Sequence, residues 1–361
     1  MVSPPSDASA ALGVAIVGCG RAGRIHLDCL RRRSDLRILY VVDPIVKEES
    51  VDVPDGAKLV RAMTEALSDQ RTDVVIVATP TPSHAQCIHA ALRAKKHVSW
   101  PVAGHALYRV LMSKGPRQLK TYPWTVARKV FAEKPLCCEP MEAPPLFEEA
   151  ERNNVLLFTA LNRRHDPQII AAKAKLESGE MGRPLSVSLL SGDYPYPPEH
   201  YLRTCGTLYQ DCAIHDFDYV TWLLGEDPVA LRSQGSSSDA ERSQGTFEHA
   251  CTHMSFKSGL QANFVHTRIA SSYDHRLDIT CEKGSIQVVN PARGEAPISF
   301  SERFHDSYVA QMDWFVKKVV SGDSKPNITL ERTLFLESLS EHCLESAQDK
   351  NAEIRLDDPV K

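Results

Sequence analysis

GVAIVGCGRAGRIH, residues Gly13 to His26, holds a strand, a glycine-rich turn and the start of a helix in one short run. Val14 to Val17 are small or apolar and form a buried strand, after which Gly18, Gly20 and Gly23 fall at the spacing GxGxxG. The first glycine permits a tight turn, the second lets the backbone approach a pyrophosphate, and the third lets the helix pack on the strand. Free N–H groups and the positive end of the helix dipole then face an anion seated in the turn. Arg21 and Ala22 lie inside this loop and join the expected contacts. Asp43 adds weight, because it closes a second strand, Ile38 to Val42, twenty residues beyond Gly23. A carboxylate there accepts the hydroxyls of an adenosine ribose and repels a 2′-phosphate. The run predicts NAD rather than NADP, in preference to a reading in which Asp43 only opens a turn with Pro44.

Outward from this run, strand and helix alternate. Met63 to Leu67 reads as helix, and Asp73 to Ala78, DVVIVA, is apolar enough to be buried on both faces of a parallel sheet. The turn Thr79-Pro80-Thr81-Pro82-Ser83-His84 follows, with Ser83 placed to cap a helix over Ala85 to Lys95. Such turns sit at the carboxyl edge of the strands, where open sheets bind ligands. There Thr79 is expected to meet the cofactor, and His84 either approaches the nicotinamide or ribose or makes a purely local hydrogen bond. Lys96 to Val98 starts a strand, Phe131 to Leu136 resumes the pattern, Met141 to Asn153 is helical, and Val155 to Leu161 is a last strand. The alternation implies a doubly wound parallel sheet over residues 13–161, an α/β Rossmann domain.

Beyond it, Ile169 to Glu177 reads as helix, Leu185 to Ser191 as strand, and Asp193 to His200, DYPYPPEH, as a proline-stiffened loop. The hydrophobic period then changes to two over Val229 to Gln234, Phe247 to Phe256, Gln261 to Arg268, His275 to Cys281 and Ser285 to Val289. Lys257 to Gly259 and Glu282 to Gly284 are hairpin turns. Residues 162–361 are thus expected to form an α+β domain with a large, mostly antiparallel, open-faced sheet, finished by helices over Ser307 to Val320 and Thr329 to Gln348. The free face of that sheet suits burial against a second copy, giving a homodimer or homotetramer.

The chain's 361 residues suffice for two domains. With 42% hydrophobic and 24% charged residues it has the composition of a soluble globular protein. A formal charge of -4 supplies no electrostatic reason for a nucleic-acid or anionic-membrane partner. No apolar run approaches the roughly 20 residues needed to cross a bilayer. Residues 1–12 lack the make-up of a secretory signal and are expected to be a disordered tail, leaving a cytoplasmic protein. The ten cysteines are scattered, with no paired CxxC and no structural zinc signature. Residues 99–130 depart from the pattern. Six basic residues there, Arg109, Lys114, Arg117, Lys120, Arg128 and Lys129, occur without one acid, and prolines interrupt the run. We read this as a loosely attached insertion in preference to a basic lid or partner-binding arm.

Chemistry-bearing residues cluster in Gly206 to Leu224, which reads as one amphipathic helix. Asp211 and His215, four apart, would then share a face, the carboxylate orienting the imidazole and raising its basicity. Lys134, in Glu133-Lys134-Pro135, is held by the restriction that proline places on the residue before it. An ammonium there would stabilise an alkoxide and lower the pKa of a neighbouring histidine. A zinc site on Cys205, Cys212 and His215, or on His249, Cys251 and His253, is the metal alternative. The second trio is also what one face of a strand produces, and no metal is expected.

GCGRAGRIH, Asp43, TPTPSH, AEKPL, LNRRHDP (Leu161 to Pro167), DYPYPPEHY and the D-x-x-x-H of Asp211 and His215 together resemble the Gfo/Idh/MocA family of NAD(P)-dependent oxidoreductases, nearest its inositol 2-dehydrogenase branch. The resemblance implies oxidation of a ring hydroxyl of a polyol such as myo-inositol to a ketone. It makes Lys134, Asp211 and His215 the catalytic set, adds Glu133 to the cofactor contacts, and puts Asn162 and Asp193 near the substrate. Residues 99–130 have no counterpart in the family, being an insertion or translated intron. Ala127 to Phe131, ARKVF, echoes RAKKHV and could replace the strand end that the insertion displaces. If it does not, Lys134 is misplaced and the protein is an NAD-binding sensor or scaffold. His165 stands where NRRFDP would place an aromatic.

Overall fold

The structure, a computed structural model, describes residues 11–94, 129–238, 247–290 and 299–356. Six strands form the first sheet: β1 (Leu12–Val17), β2 (Leu36–Val42), β3 (Lys58–Val60), β4 (Thr72–Val77), β5 (Lys129–Ala132) and β6 (Leu157–Thr159). Their order is β3-β2-β1-β4-β5-β6 and every pairing is parallel. The order reverses between β1 and β4, so a crevice opens beyond their carboxyl ends. Alternate residues serve opposite faces, as the pleat requires. Ala15, Val17, Val75, Val77, Val130 and Ala132 bury against α2 (Met63–Ser68), α3 (His84–Arg93) and α4 (Ala143–Arg152). Val14, Ile16, Val74, Ile76, Phe131 and Phe158 bury on the other side.

That other side is covered by α1 (Arg21–Arg31) and by a helix from far along the chain, His305–Ser321. Met312, Phe315, Val316 and Val319 of the latter complete the core there. Phe131 and Phe158 stack with ring centroids 4.9 Å apart, and Phe315 meets both edge-on. Each such fully buried ring is worth about 1.5–3 kcal/mol.

The second sheet has seven strands in the order β12-β11-β7-β10-β9-β8-β13. They are β7 (Pro184–Gly192), β8 (Pro228–Ser236), β9 (His249–Phe256), β10 (Gln261–Thr267), β11 (Asp274–Cys281), β12 (Gly284–Val288) and β13 (Ile354–Arg355). Only β7 and β10 run parallel, and the period-two segments of the sequence are recovered almost in full. One face packs on helices Pro167–Glu177, Ile214–Leu224 and Leu330–Gln348, while Ser188, Asn263, Val265 and Arg276 on the other are exposed.

Several expectations are corrected. Gly206 to Leu224 is not one α-helix: Tyr209–Ala213 forms a wider, π-type turn, and the α-helix runs only from Ile214 to Leu224. β3 and β13 went unseen because three- and two-residue strands carry no readable period. Ser83 stands before α3 but its side chain caps nothing. Leu12, placed in the tail, begins β1, while residues 1–10 lie outside the described residues. So do the strand at Lys96 to Val98 and the insertion as far as Arg128.

Candidate active site

The glycine loop leaves β1 at the crevice. Gly18 has φ +92°, and a Cβ on it would lie 2.4 Å from the Ala78 carbonyl oxygen. A Cβ on Gly23 would lie 2.1 Å from the Gly18 oxygen, so helix and loop touch backbone to backbone. Around Gly20 no atom of the described residues, its chain neighbours aside, comes within 4 Å of such a Cβ, leaving open space in front of the first turn of α1. That turn contains no acid and its N-cap, Gly20, brings no side chain to the free N–H groups. These residues fit a dinucleotide pyrophosphate. Asp43 sits at the end of β2 as expected. Its carboxylate accepts from the amides of Cys19 (2.9 Å), Ile45 (3.0 Å) and Val46 (2.9 Å). Burial works against the charge, yet these donors hold the carboxyl below its usual range. A carboxylate offers about four acceptor positions, which leaves room for a ribose hydroxyl.

At the carboxyl end of β5, the Glu133 amide still bonds the Val77 carbonyl at 2.9 Å, so Glu133 and Lys134 emerge beside the turn that follows β4. Lys129 to Ala132 therefore fills the strand position that ARKVF was expected to supply. The Lys134 ammonium donates to the Asp211 main-chain oxygen at 2.5 Å and to its Oδ1 at 3.3 Å. Residues from the two sheet-bearing halves thus meet in one ion pair.

Asp211 does not orient His215. No hydrogen bond joins them among the described residues, because the π-type turn removes the i, i+4 stacking that a regular helix would give. Instead the carboxylate takes Lys134 and the Tyr201 hydroxyl (2.7 Å) on Oδ1, and Arg268 (3.0 Å) and the Cys212 thiol (3.8 Å) on Oδ2. Burial raises the Asp211 carboxyl, but Lys134, Arg268 and Tyr201 outweigh it and hold the group ionised. His215 is half-buried, and its Nδ1 has no partner among the described residues. Its pKa is well below the ordinary value rather than raised: burial is the main cause, and the cations Lys134 and Arg163 add to it against Asp216.

Residues 12–100 match an oxidoreductase family with an NAD-binding Rossmann fold, and residues 169–287 match the Gfo/Idh/MocA C-terminal domain. The chain belongs to the Gfo/Idh/MocA family. A myo-inositol 2-dehydrogenase of Thermotoga maritima is 27% identical over 86% of this chain and 89% of its own. A Bacillus subtilis scyllo-inositol 2-dehydrogenase that uses NAD(+) is 25% identical, covering 90% of each chain. Among solved structures, a probable dehydrogenase from Thermotoga maritima superposes with TM-score 0.78 at 26% identity, over 96% of this chain and 99% of that one. This Gfo/Idh/MocA protein is an NAD-dependent oxidoreductase.

The remaining family positions divide. His84 is 1% exposed and both its nitrogens are 2.7 Å from carbonyls, those of Pro135 and Thr79. It ties the turn after β4 to the Lys134 turn and has no edge left for a nicotinamide. Glu133 is buried against His26; burial opposes its charge, and the His26 contact and Lys134 keep the carboxyl low. Thr79 is half-buried, with its carbonyl taken by His84, and Ala22 is half-buried in the first turn of α1. The Arg21 guanidinium is exposed and lies 3.9 Å above the Phe300 ring. Asp193 is half-buried; burial pushes its carboxyl up, Asp211 adds to this, and Arg21 and Arg268 oppose it, which places it beside the cluster. Asn162 is 3% exposed and donates to Ser307 Oγ at 2.8 Å, with no described bond to Lys134, Asp211 or His215. His165 packs its ring 5.7 Å from that of Trp314.

Arg268 and Tyr201 escaped the sequence reading. Arg268 looked like the last residue of a strand, but β10 runs parallel to β7, so its end delivers Arg268 next to Asp193. That parallel pair is invisible locally. Behind the cluster, helix Leu330–Gln348 buries Glu337, whose Oε2 has no partner among the described residues and whose carboxyl is pushed up to about 7, chiefly by burial. The zinc alternative finds no support: no group of three or more His, Cys, Asp or Glu side chains is arranged for a metal among the described residues.

Proposed function

We propose that the protein oxidises a ring hydroxyl of a cyclic polyol or sugar, with myo-inositol and its 2-keto product the best match. The observation that carries this is the meeting of Lys134 and Asp211 at the crevice, within electrostatic reach of His215. NAD, when bound, supplies the hydride acceptor. His215 stays neutral at physiological pH because burial and its cationic neighbours disfavour the imidazolium, so a ring nitrogen is free to take the hydroxyl proton. Lys134 donates toward the developing alkoxide, and Asp211 holds Lys134 in place. Asp193, and more remotely Asn162, help seat the substrate; Gly18, Gly20, Gly23, Arg21, Ala22, Asp43, Thr79 and Glu133 border the cofactor.

The same reading divides the chain into a nucleotide domain over residues 13–161 and a substrate and assembly domain over 162–361. It gives the open face of the second sheet to another copy of the protein and places the enzyme in the cytoplasm. Among the described residues no helix is long and apolar enough to cross a membrane.

The test is a polyol panel with NAD, followed by NADH absorbance. Replacing His215 with Ala should depress turnover at least about 100-fold, in the range of a lost general base, while NAD affinity stays within twofold. Unchanged turnover would remove His215 from the mechanism. NAD binding without NADH formation on any polyol would favour the sensor or scaffold alternative instead.

A further inference from the structure

We propose that Arg268 is a positioning residue of the reaction: by occupying Asp211 Oδ2 it confines Lys134 to Oδ1 and the main-chain oxygen, which fixes the direction of the ammonium and leaves the group with a positive charge. The inference rests on the dehydrogenase reading above. Arg268 has no exposed surface and is the largest fully buried side chain among the described residues. Its Nη1 lies 3.0 Å from Asp211 Oδ2, its Nη2 lies 3.6 Å from Cys205 Sγ, and its Nε has no partner among the described residues. A guanidinium is costly to bury unless a carboxylate faces it, so Arg268 and Asp211 hold each other.

The division of the carboxylate follows from its contacts. Oδ1 receives Lys134 and Tyr201, and Oδ2 receives Arg268 and, more weakly at 3.8 Å, the Cys212 thiol. Without Arg268, Lys134 could slide to a two-oxygen grip on Asp211 and be neutralised by it. With Arg268 in place, Asp211 is shared between two cations, so the Lys134 ammonium, which also faces the Glu133 carboxylate, keeps more of its positive charge. That charge favours an alkoxide and disfavours a proton on His215. The charged and titratable groups facing Asp211 are Lys134, Arg268, Tyr201, Cys212, Cys205 and Asp193, and those facing His215 are Lys134, Arg163, Asp216 and His275.

The test uses Arg268→Met, which keeps bulk and drops the charge, and Arg268→Lys, which keeps the charge on a different stem. We expect Arg268→Met to lose at least about 30-fold in kcat with KM and NAD affinity within threefold. The acid limb of its kcat/KM profile should move to higher pH, because a Lys134 ammonium gripped by both Asp211 oxygens no longer disfavours the His215 imidazolium as strongly. Arg268→Lys should return the limb toward its wild-type position while recovering only part of kcat. The imidazole of His215, followed by NMR in the cofactor-free protein and assigned by comparison with His215→Asn, should titrate at higher pH in Arg268→Met. A kcat loss with an unmoved limb and unmoved imidazole would make Arg268 merely structural and overturn the proposal, as would unchanged kcat. Should Arg268→Met fail to fold, Arg268→Gln, which also drops the charge, takes its place: a limb and imidazole moved to higher pH support the proposal, and both unmoved overturn it. Wild-type protein inactive on every polyol would defeat the dehydrogenase reading, while the imidazole titration still answers for Arg268.

Discussion

Several histidines in this protein are kept neutral by what surrounds them, and this has a measurable cost on acidification. Burial depresses His215 and His275 below the ordinary imidazole value, and burial with Arg164 beside it brings His165 down to about 4. The unfolded chain binds those protons at about 6.5, so between the folded and unfolded values it holds more protons than the native state. Stability then rises with pH across that window and is lost as pH falls through it. Glu337 opposes this. Its folded value of about 7 exceeds the unfolded one, so its contribution is present at low pH and lost as pH rises through about 7. Asp193, its carboxyl also pushed up by burial, acts in the same direction as Glu337, so three groups against two predict a lower thermal midpoint at pH 5.5 than at pH 7.5 in the cofactor-free protein. An equal or higher midpoint at pH 5.5 would contradict the buried-neutral assignment. At this scale the sequence singled out Lys134, Asp211 and His215; the structure joins Lys134 to Asp211 but does not pair Asp211 with His215 as the spacing suggested. Spacing of four residues means one face only when each turn holds 3.6 residues, and nothing in YQDCA announces a wider turn.

The elements were far easier to read, because periodicity is set by burial over many residues rather than by one contact. Both faces of the first sheet are covered, so its strands are continuous apolar runs, and the second sheet alternates because only one face is covered. The glycine loop is the element whose function and stability separate most cleanly. Gly23→Ala would drive a methyl group into the Gly18 carbonyl, so the midpoint of unfolding should drop and NAD affinity fall with it. Gly20→Ala adds a methyl group where, among the described residues, no atom beyond its chain neighbours lies within 4 Å, so the apo protein should melt within about a degree of wild type. Its NAD affinity, read by NADH fluorescence, should nevertheless fall at least tenfold, since the methyl group enters the space left for the pyrophosphate. If both variants lose stability equally and Gly20→Ala still binds NAD normally, the loop is only a turn.

For the molecule as a whole, the exposed face of the second sheet is the feature that asks for a partner. Val265, 39% exposed in the middle of β10, lies there with Ser188, Asn263 and Arg276. We expect light scattering to give at least twice the 40.1 kDa chain mass, and Val265→Arg to shift the population toward single chains without altering the thermal midpoint of those chains. A wild-type mass of one chain at micromolar concentration would refute assembly through this face.

One long-range contact remained out of reach of any local reading: helix His305–Ser321 closes the first sheet although well over a hundred residues separate it from β6. On the ribosome, then, the nucleotide-binding sheet emerges early with Phe131 and Phe158 uncovered, and it waits for nearly the entire remaining polypeptide before Phe315 arrives. Nascent chains halted short of that helix should be sticky and protease-sensitive, and a chaperone that shields aromatic surface would find its client in the first half of the protein.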